Sequence, residues 1–126
     1  MTPNDFRRIA LGMAGAVEGE HMSHPDFRAN GRIFATISPD AKSGMVSLTP
    51  DQQAEFMRAA PDTFVPAAGA WGRGGSTMVR LASADAETVG EAMTRAWQRV
   101  MSAKPKPKTK PKPKPKPKPK AKKSRR

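Results

Sequence analysis

The sequence contains no cysteine and no tyrosine. Without cysteine the chain cannot form a disulfide, a thiolate metal site or a thiol nucleophile, which fits a reducing compartment. No stretch approaches the roughly 18 apolar residues of a membrane helix. Met1 is followed by the letters TPND rather than by a basic and then apolar leader. We therefore expect a soluble cytoplasmic protein, and a nucleoid-associated one if it binds DNA.

The first 103 residues also lack an excess of positive charge, whereas the rest of the chain does not. Residues 1–103 hold ten Lys and Arg against eleven Asp and Glu, a net charge of −1. Residues 104–126 hold eleven Lys and two Arg with no acid, which brings the whole chain to +12. The chain therefore consists of two segments of different character, a nearly neutral one followed by a strongly basic one. We predict one folded domain over 1–103 and a disordered Lys/Pro-rich tail over 104–126.

The tail alternates lysine with proline and has little apolar surface. Seven of its 23 residues are proline, which removes backbone donors and favours polyproline II geometry over helix. With little to bury, it is expected to be disordered when free. It has no aromatic residue, so we expect contacts to phosphates that are largely independent of sequence, to DNA more than to RNA. The tail residues predicted to bind nucleic acid are Lys104, Lys106, Lys108, Lys110, Lys112, Lys114, Lys116, Lys118, Lys120, Lys122, Lys123, Arg125 and Arg126.

Three other roles of the tail are alternatives to nucleic-acid binding: a ligand for SH3-like domains, a membrane anchor and a solubilising segment. A ligand for SH3-like domains is disfavoured because all seven prolines have odd numbers, so that no Pro-x-x-Pro spacing exists. An anionic membrane would attract the lysines, but no amphipathic helix or lipidation motif would hold them there, and we expect no membrane partner. The tail could also serve only to keep the protein in solution.

Helix starts and strand patterns predict the fold class. The letters TPND at 2–5 and TPDQ at 49–52 are capping patterns that predict helices over about 3–12 and 50–60, and a third helix is predicted after Asp85. Asn30-Gly31 predicts a two-residue hairpin turn that pairs Phe27 with Phe34. Short strands are predicted near 16–24, 45–48 and 76–82. The combination favours an α+β fold, an antiparallel sheet with helices packed on one face.

Three ordered stretches carry a family resemblance. They are GAVEGEHMSHPDFRANGRIFATI, MVSLTPDQQAEF and GAWGRGGSTMVRL. Together they resemble the MmcQ/YjbR family of small bacterial proteins over about residues 6–100. The resemblance implies a fold similar to the CyaY-like (frataxin-like) sandwich and a DNA-binding role. The matching positions are His24, Pro25, Phe27, Gly31, Phe34, Leu48, Thr49, Gly69, Trp71, Gly72 and Arg73. Many members carry an aromatic residue where this chain has Ser76, and the tail is an addition to the family pattern.

Within the domain, four arginines are the candidates for contact with DNA: Arg28 and Arg32 beside the hairpin turn, Arg73 and Arg80. The letters GRGGST at 72–77, which begin in a predicted loop over 69–75, could instead cradle a phosphate, but the Walker ending is missing and the loop leads into a strand. A tight turn beside a buried Trp71 is favoured there. The pair His21 and His24 lacks the further ligands of a zinc site, so we expect no metal and no cofactor.

Two functional hypotheses follow. The first is a DNA-binding protein whose tail contacts phosphates. We expect it to be non-enzymatic, because no triad, paired-carboxylate pocket or cofactor fingerprint is recognisable. The second is a protein- or ligand-binding module whose basic tail only localises it to RNA, ribosome or nucleoid. Binding of DNA by residues 1–103 alone would separate them.

Overall fold

The computed structural model describes residues 1–21 and 23–103, so the tail and the disorder predicted for it lie outside the described residues. In chain order the elements are α1 Pro3–Leu11, β1 Val17–His21, β2 His24–Ala29, β3 Arg32–Ile37, β4 Ser43–Ser47, α2 Pro50–Ala59, β5 Phe64–Pro66, α3 Gly69–Arg73, β6 Ser76–Arg80 and α4 Ala86–Ser102. A 3-10 turn over Leu81–Ser83 joins β6 to α4. The predicted long helices and the hairpin are present.

The strands form one antiparallel sheet in the order β1-β2-β3-β4-β6-β5. The row of cross-strand partners Phe27, Ala35 and Val46 is fully buried and belongs to the core that α1, α2 and α4 cover. The alternate row Asp26, Thr36, Met45 and Met78 lies on the opposite side, which we call the open face. The α+β prediction, an antiparallel sheet with helices packed on one face, is confirmed.

The helix starts form as the sequence predicts. Thr2 Oγ1 accepts from the amide of Asp5 at 3.1 Å, and the Asp5 carboxylate accepts from the Thr2 amide at 2.9 Å. Thr49 and Gln52 repeat this reciprocal capping box at α2. Each box satisfies two backbone donors that a helix start otherwise leaves without partners. These hydrogen bonds also lower the pKa of the Asp5 carboxyl.

The predicted hairpin turn is confirmed, but one predicted cross-strand pair is wrong. Asn30 and Gly31 have φ of 55° and 72°, as the turn requires, and Arg28 faces Ile33. Phe27, however, faces Ala35 rather than Phe34, because β3 carries an extra residue at this point. An unbulged strand would turn Thr36 to the core and Ile37 to the open face. The bulge reverses them and keeps both Phe34 and Ile37 in the core.

The predicted glycine-rich loop over 69–75 is also wrong in part. Residues Gly69–Arg73 form α3, and Trp71 is 78% exposed rather than buried. No large apolar residue of this segment lies one helical turn from Trp71, so the helix has no apolar face to bury. A short helix with one exposed indole replaces the expected turn.

The helical layer sits against β4 at a glycine. A Cβ built on Gly44 would lie 2.5 Å from the ring of Phe6, which is fully buried in α1. Gly44 therefore lets α1 approach the sheet to a distance that no other residue permits.

We predict that Gly44→Ala destabilises the fold by about 1–3 kcal/mol, since the added methyl group would displace the fully buried ring of Phe6. Gly90→Ala is the matched control. A Cβ there meets nothing within 4 Å and Gly90 lies within α4, so the same change should stabilise by about 0.5–1 kcal/mol. Urea unfolding of both variants measures the two effects. Equal effects of the same sign would contradict the packing described.

Candidate nucleic-acid interface

A groove of about 420 Å³ crosses the open face. Its lining includes Ile33, Thr36 and Met45 of the sheet together with Ser76 of β6 and Trp71 of α3. His24, Ser47, Ala67 and Ala68 complete the lining. We call this the Trp71 groove. It combines an exposed indole, apolar side chains and several hydroxyl groups.

Hydrogen bonds and close backbone packing hold Trp71 in place. The side-chain amide of Gln53 in α2 donates to the carbonyls of Gly72 and Ser76, both at 3.0 Å. A Cβ on Gly72 would lie 1.9 Å from the carbonyl oxygen of Ala67, and one on Gly75 would lie 2.0 Å from that of Leu48. Both glycines are therefore required by close backbone contacts. The indole is exposed on a firmly anchored support.

A second depression adjoins the groove at the hairpin end of the sheet. It has a volume of about 370 Å³ and is lined by three arginines, Arg28, Arg32 and Arg99. Ile33 and Ser47 line both depressions, so the two lie next to each other. We call the second depression the arginine pocket. Arg99 Nη1 donates to the Ser47 hydroxyl at 2.9 Å, and because that acceptor is neutral, this bond brings no negative charge beside the guanidinium.

Arg28 is compensated by a carboxylate of its own strand. Its Nε and Nη2 donate to the two oxygens of Asp26 at 2.8 and 3.1 Å. Asp26 is fully buried, and these hydrogen bonds together with its charge raise the pKa of Arg28 above the usual value. Gly19 of β1 faces the pair, and a Cβ there would lie 3.0 Å from the Asp26 carboxylate. Arg28 thus has a fixed orientation but contributes less net charge than the sequence suggests.

The start of the tail lies beside the same pocket. The side-chain amide of Asn30, in the hairpin turn, donates to the carbonyls of Val100 at 2.9 Å and Ala103 at 3.1 Å. The bond to Ala103 satisfies a carbonyl at the end of α4, and the bond to Val100 adds to the one that this carbonyl accepts from the Ala103 amide. The last described residue, Ala103, is therefore fastened to the hairpin. Lys104 is the next residue of the chain.

The structure gathers only part of the predicted arginine set. Arg28 and Arg32 share the arginine pocket, and exposed Arg73 ends α3 two residues after Trp71. Arg80 pairs with Ser43 at the far end of β6, about 13 Å along the strand from Ser76. Arg99 was not among the predicted residues, because its place beside the hairpin depends on how α4 docks. The described residues contain no group of three or more His, Asp or Glu side chains that could hold a metal ion.

The sequence also matches a protein-family model, named YjbR, over residues 11–99. The chain belongs to the YjbR family. A similar solved structure is the crystal structure of the Deinococcus radiodurans protein DR2400, described as a DUF419 domain. The two share 18% identity with a TM-score of 0.67, over 80% of this chain and 79% of that chain, which establishes a shared fold. A search of curated protein sequences gives no significant match.

The positions that carry the family resemblance divide into two groups in the YjbR fold. Phe27, Phe34 and Leu48 are fully buried in the core. Gly31 and Gly69 take positive φ, Thr49 caps α2, and Gly72 allows the close contact with Ala67. His24 and Trp71 instead line the Trp71 groove. Most matching positions are thus explained by folding, and these two meet at one surface.

We predict that Asn30→Gly loosens the end of α4. Glycine accepts the positive φ of this position, so the turn is kept while the donor to Val100 and Ala103 is lost. The loss should cost about 1 kcal/mol and speed hydrogen exchange in the last turn of α4. Exchange measured by mass spectrometry tests this. Unchanged exchange over residues 100–103 would show that the contact does not hold the helix end.

Proposed function

We propose that this YjbR-family chain is a non-enzymatic DNA-binding protein with little sequence preference. The observation that supports this most directly is the position of Ala103. It is tied to the hairpin beside the arginine pocket, and the thirteen basic residues of the tail follow it in the chain. The arginine pocket and the first residue of the basic tail are thus close to each other at the hairpin end of the domain. A cytoplasmic, nucleoid-associated location is part of this proposal.

Electrostatics favours this end of the domain for an anionic partner. Residues 1–103 have a net charge of −1, so the domain as a whole does not attract DNA. The arginine pocket is a local exception, since Arg99 is held by a neutral hydroxyl. Arginine side chains that line a concave surface suit bidentate contact with phosphates. The tail supplies most of the affinity, and the pocket directs where the domain meets the strand.

The second hypothesis, a ligand- or protein-binding module that the tail merely localises, has one observation in its favour. The Trp71 groove is mainly lined by apolar side chains. It shares only Ile33 and Ser47 with the arginine pocket, which lies beside the tail attachment. An apolar groove with a few polar groups is typical of a small-molecule site. In that case the domain alone would have no affinity for DNA.

No helix of the described residues is both long and apolar enough to cross a membrane.

A salt series of duplex affinity tests the proposal on the full chain and on residues 1–103. The truncated chain keeps the whole described core, which runs from Phe6 to Val100. We expect a slope of log K against log salt near −5 for the full chain if about six lysines engage. Residues 1–103 should bind more weakly with a slope of about −1 to −2.

Two variants of residues 1–103 locate the contact. Arg99→Ala should weaken binding and reduce the slope by about one. Arg58→Ala removes the same charge from the exposed surface of α2 and should change neither. If residues 1–103 show no affinity at low salt, the domain has no nucleic-acid surface and the second hypothesis gains. If the full chain also fails to bind, the DNA-binding proposal is wrong.

A further inference from the structure

We propose that the Trp71 groove and the arginine pocket together bind single-stranded nucleic acid, with an unpaired base stacked on Trp71 and a neighbouring phosphate at Arg99. This inference rests on the proposed function and names the form of nucleic acid that the domain prefers. It concerns the domain surface rather than the tail.

The exposed indole is suited to stacking. Its side chain is 78% exposed, yet α3 is anchored through Gln53 and the close approach of Gly72 to Ala67. Because the backbone that carries the ring is already anchored, stacking of a base need not order the helix, and only side-chain freedom is lost. Trp97 provides a contrast within the chain. It is half-buried, packs against the core, and its indole N–H donates to the Ala14 carbonyl at 2.8 Å.

The groove beneath Trp71 has the size and chemistry for one base. Its volume of about 420 Å³ lies within the range of small-ligand sites. Met45 and Ile33 offer apolar contacts to a ring, while the hydroxyls of Ser47 and Ser76 offer hydrogen bonds to a base edge. Hydroxyls both donate and accept, so they impose little choice among the bases.

Phosphate and base contacts are placed side by side. Ser47 lines the groove and also accepts the hydrogen bond from Arg99, so the cation lies beside a residue of the groove lining. Within a strand each base is followed by a phosphate, which matches this alternation of apolar groove and basic pocket. A base inside an intact duplex is covered on both faces by its neighbours and cannot reach Trp71. The exposed ring therefore favours the unpaired strand, while the basic pocket suits the phosphates of either form.

The test measures binding by the full chain to three probes of equal length: a single-stranded oligothymidine, its abasic counterpart and a hairpin duplex. Moderate salt limits the contribution of the tail. We expect Trp71→Ala to weaken oligothymidine binding at least about five-fold. Binding of the abasic strand and of the duplex should stay unchanged. Trp71→Phe should restore most of the affinity, because it keeps a stacking surface. Leu11→Ala, which trims another exposed apolar side chain, is the control.

The outcomes separate this inference from the function it rests on. If Trp71→Ala lowers affinity for all three probes equally, or for none while the wild type binds them, the stacking site is disproved and DNA binding stands. If the wild type binds oligothymidine through Trp71 but ignores the duplex, the inference stands and the proposed binding of duplex DNA is wrong. Absence of binding to every probe overturns both.

Discussion

The extra residue in β3 sets the side-chain pattern on which both faces of the sheet depend. Without it, Thr36 would enter the core and Ile37 would leave it. With the bulge, Ala35 and Ile37 of β3 share the helical side with Phe27 of β2, and Thr36 shares the open face with Asp26. The covered side then holds the core together, and the other side is left to form the groove. One local irregularity thus determines which residues can meet a ligand.

The hairpin end of the molecule is assembled from distant parts of the chain. The hairpin turn carries Asn30, whose amide ties down the end of α4, and α4 in turn places Arg99 against Ser47 of β4. Gln53 of α2 separately fixes the support of Trp71. Each of these contacts is a modest hydrogen bond, yet together they bring a ring, a cation and the tail attachment to one surface. The nearly neutral charge of the domain conceals this local arrangement.

Much of the fold could be predicted because its signals are local. Capping boxes at Thr2 and Thr49, and the turn at Asn30-Gly31, depend on residues that are neighbours in sequence. The site could not be predicted to the same extent. The place of Arg99 depends on helix docking, and the compensation of Arg28 by Asp26 depends on strand geometry and burial. The exposure of Trp71 does leave a signal, since its segment has no other large apolar residue, but the high average burial of tryptophan favours the opposite prediction.

The two tryptophans allow the most direct test of the central claim, that the hairpin end and open face form the nucleic-acid surface. In an amide-correlation NMR spectrum of the full chain each indole N–H gives its own signal. On addition of a short single strand, the account predicts shifts of the Trp71 indole, Ser47 and Gly31, with the Trp97 indole unmoved because it stays bonded to Ala14. Shifts confined to the tail, or centred on Trp97 and the exposed sides of α1 and α2, would contradict it.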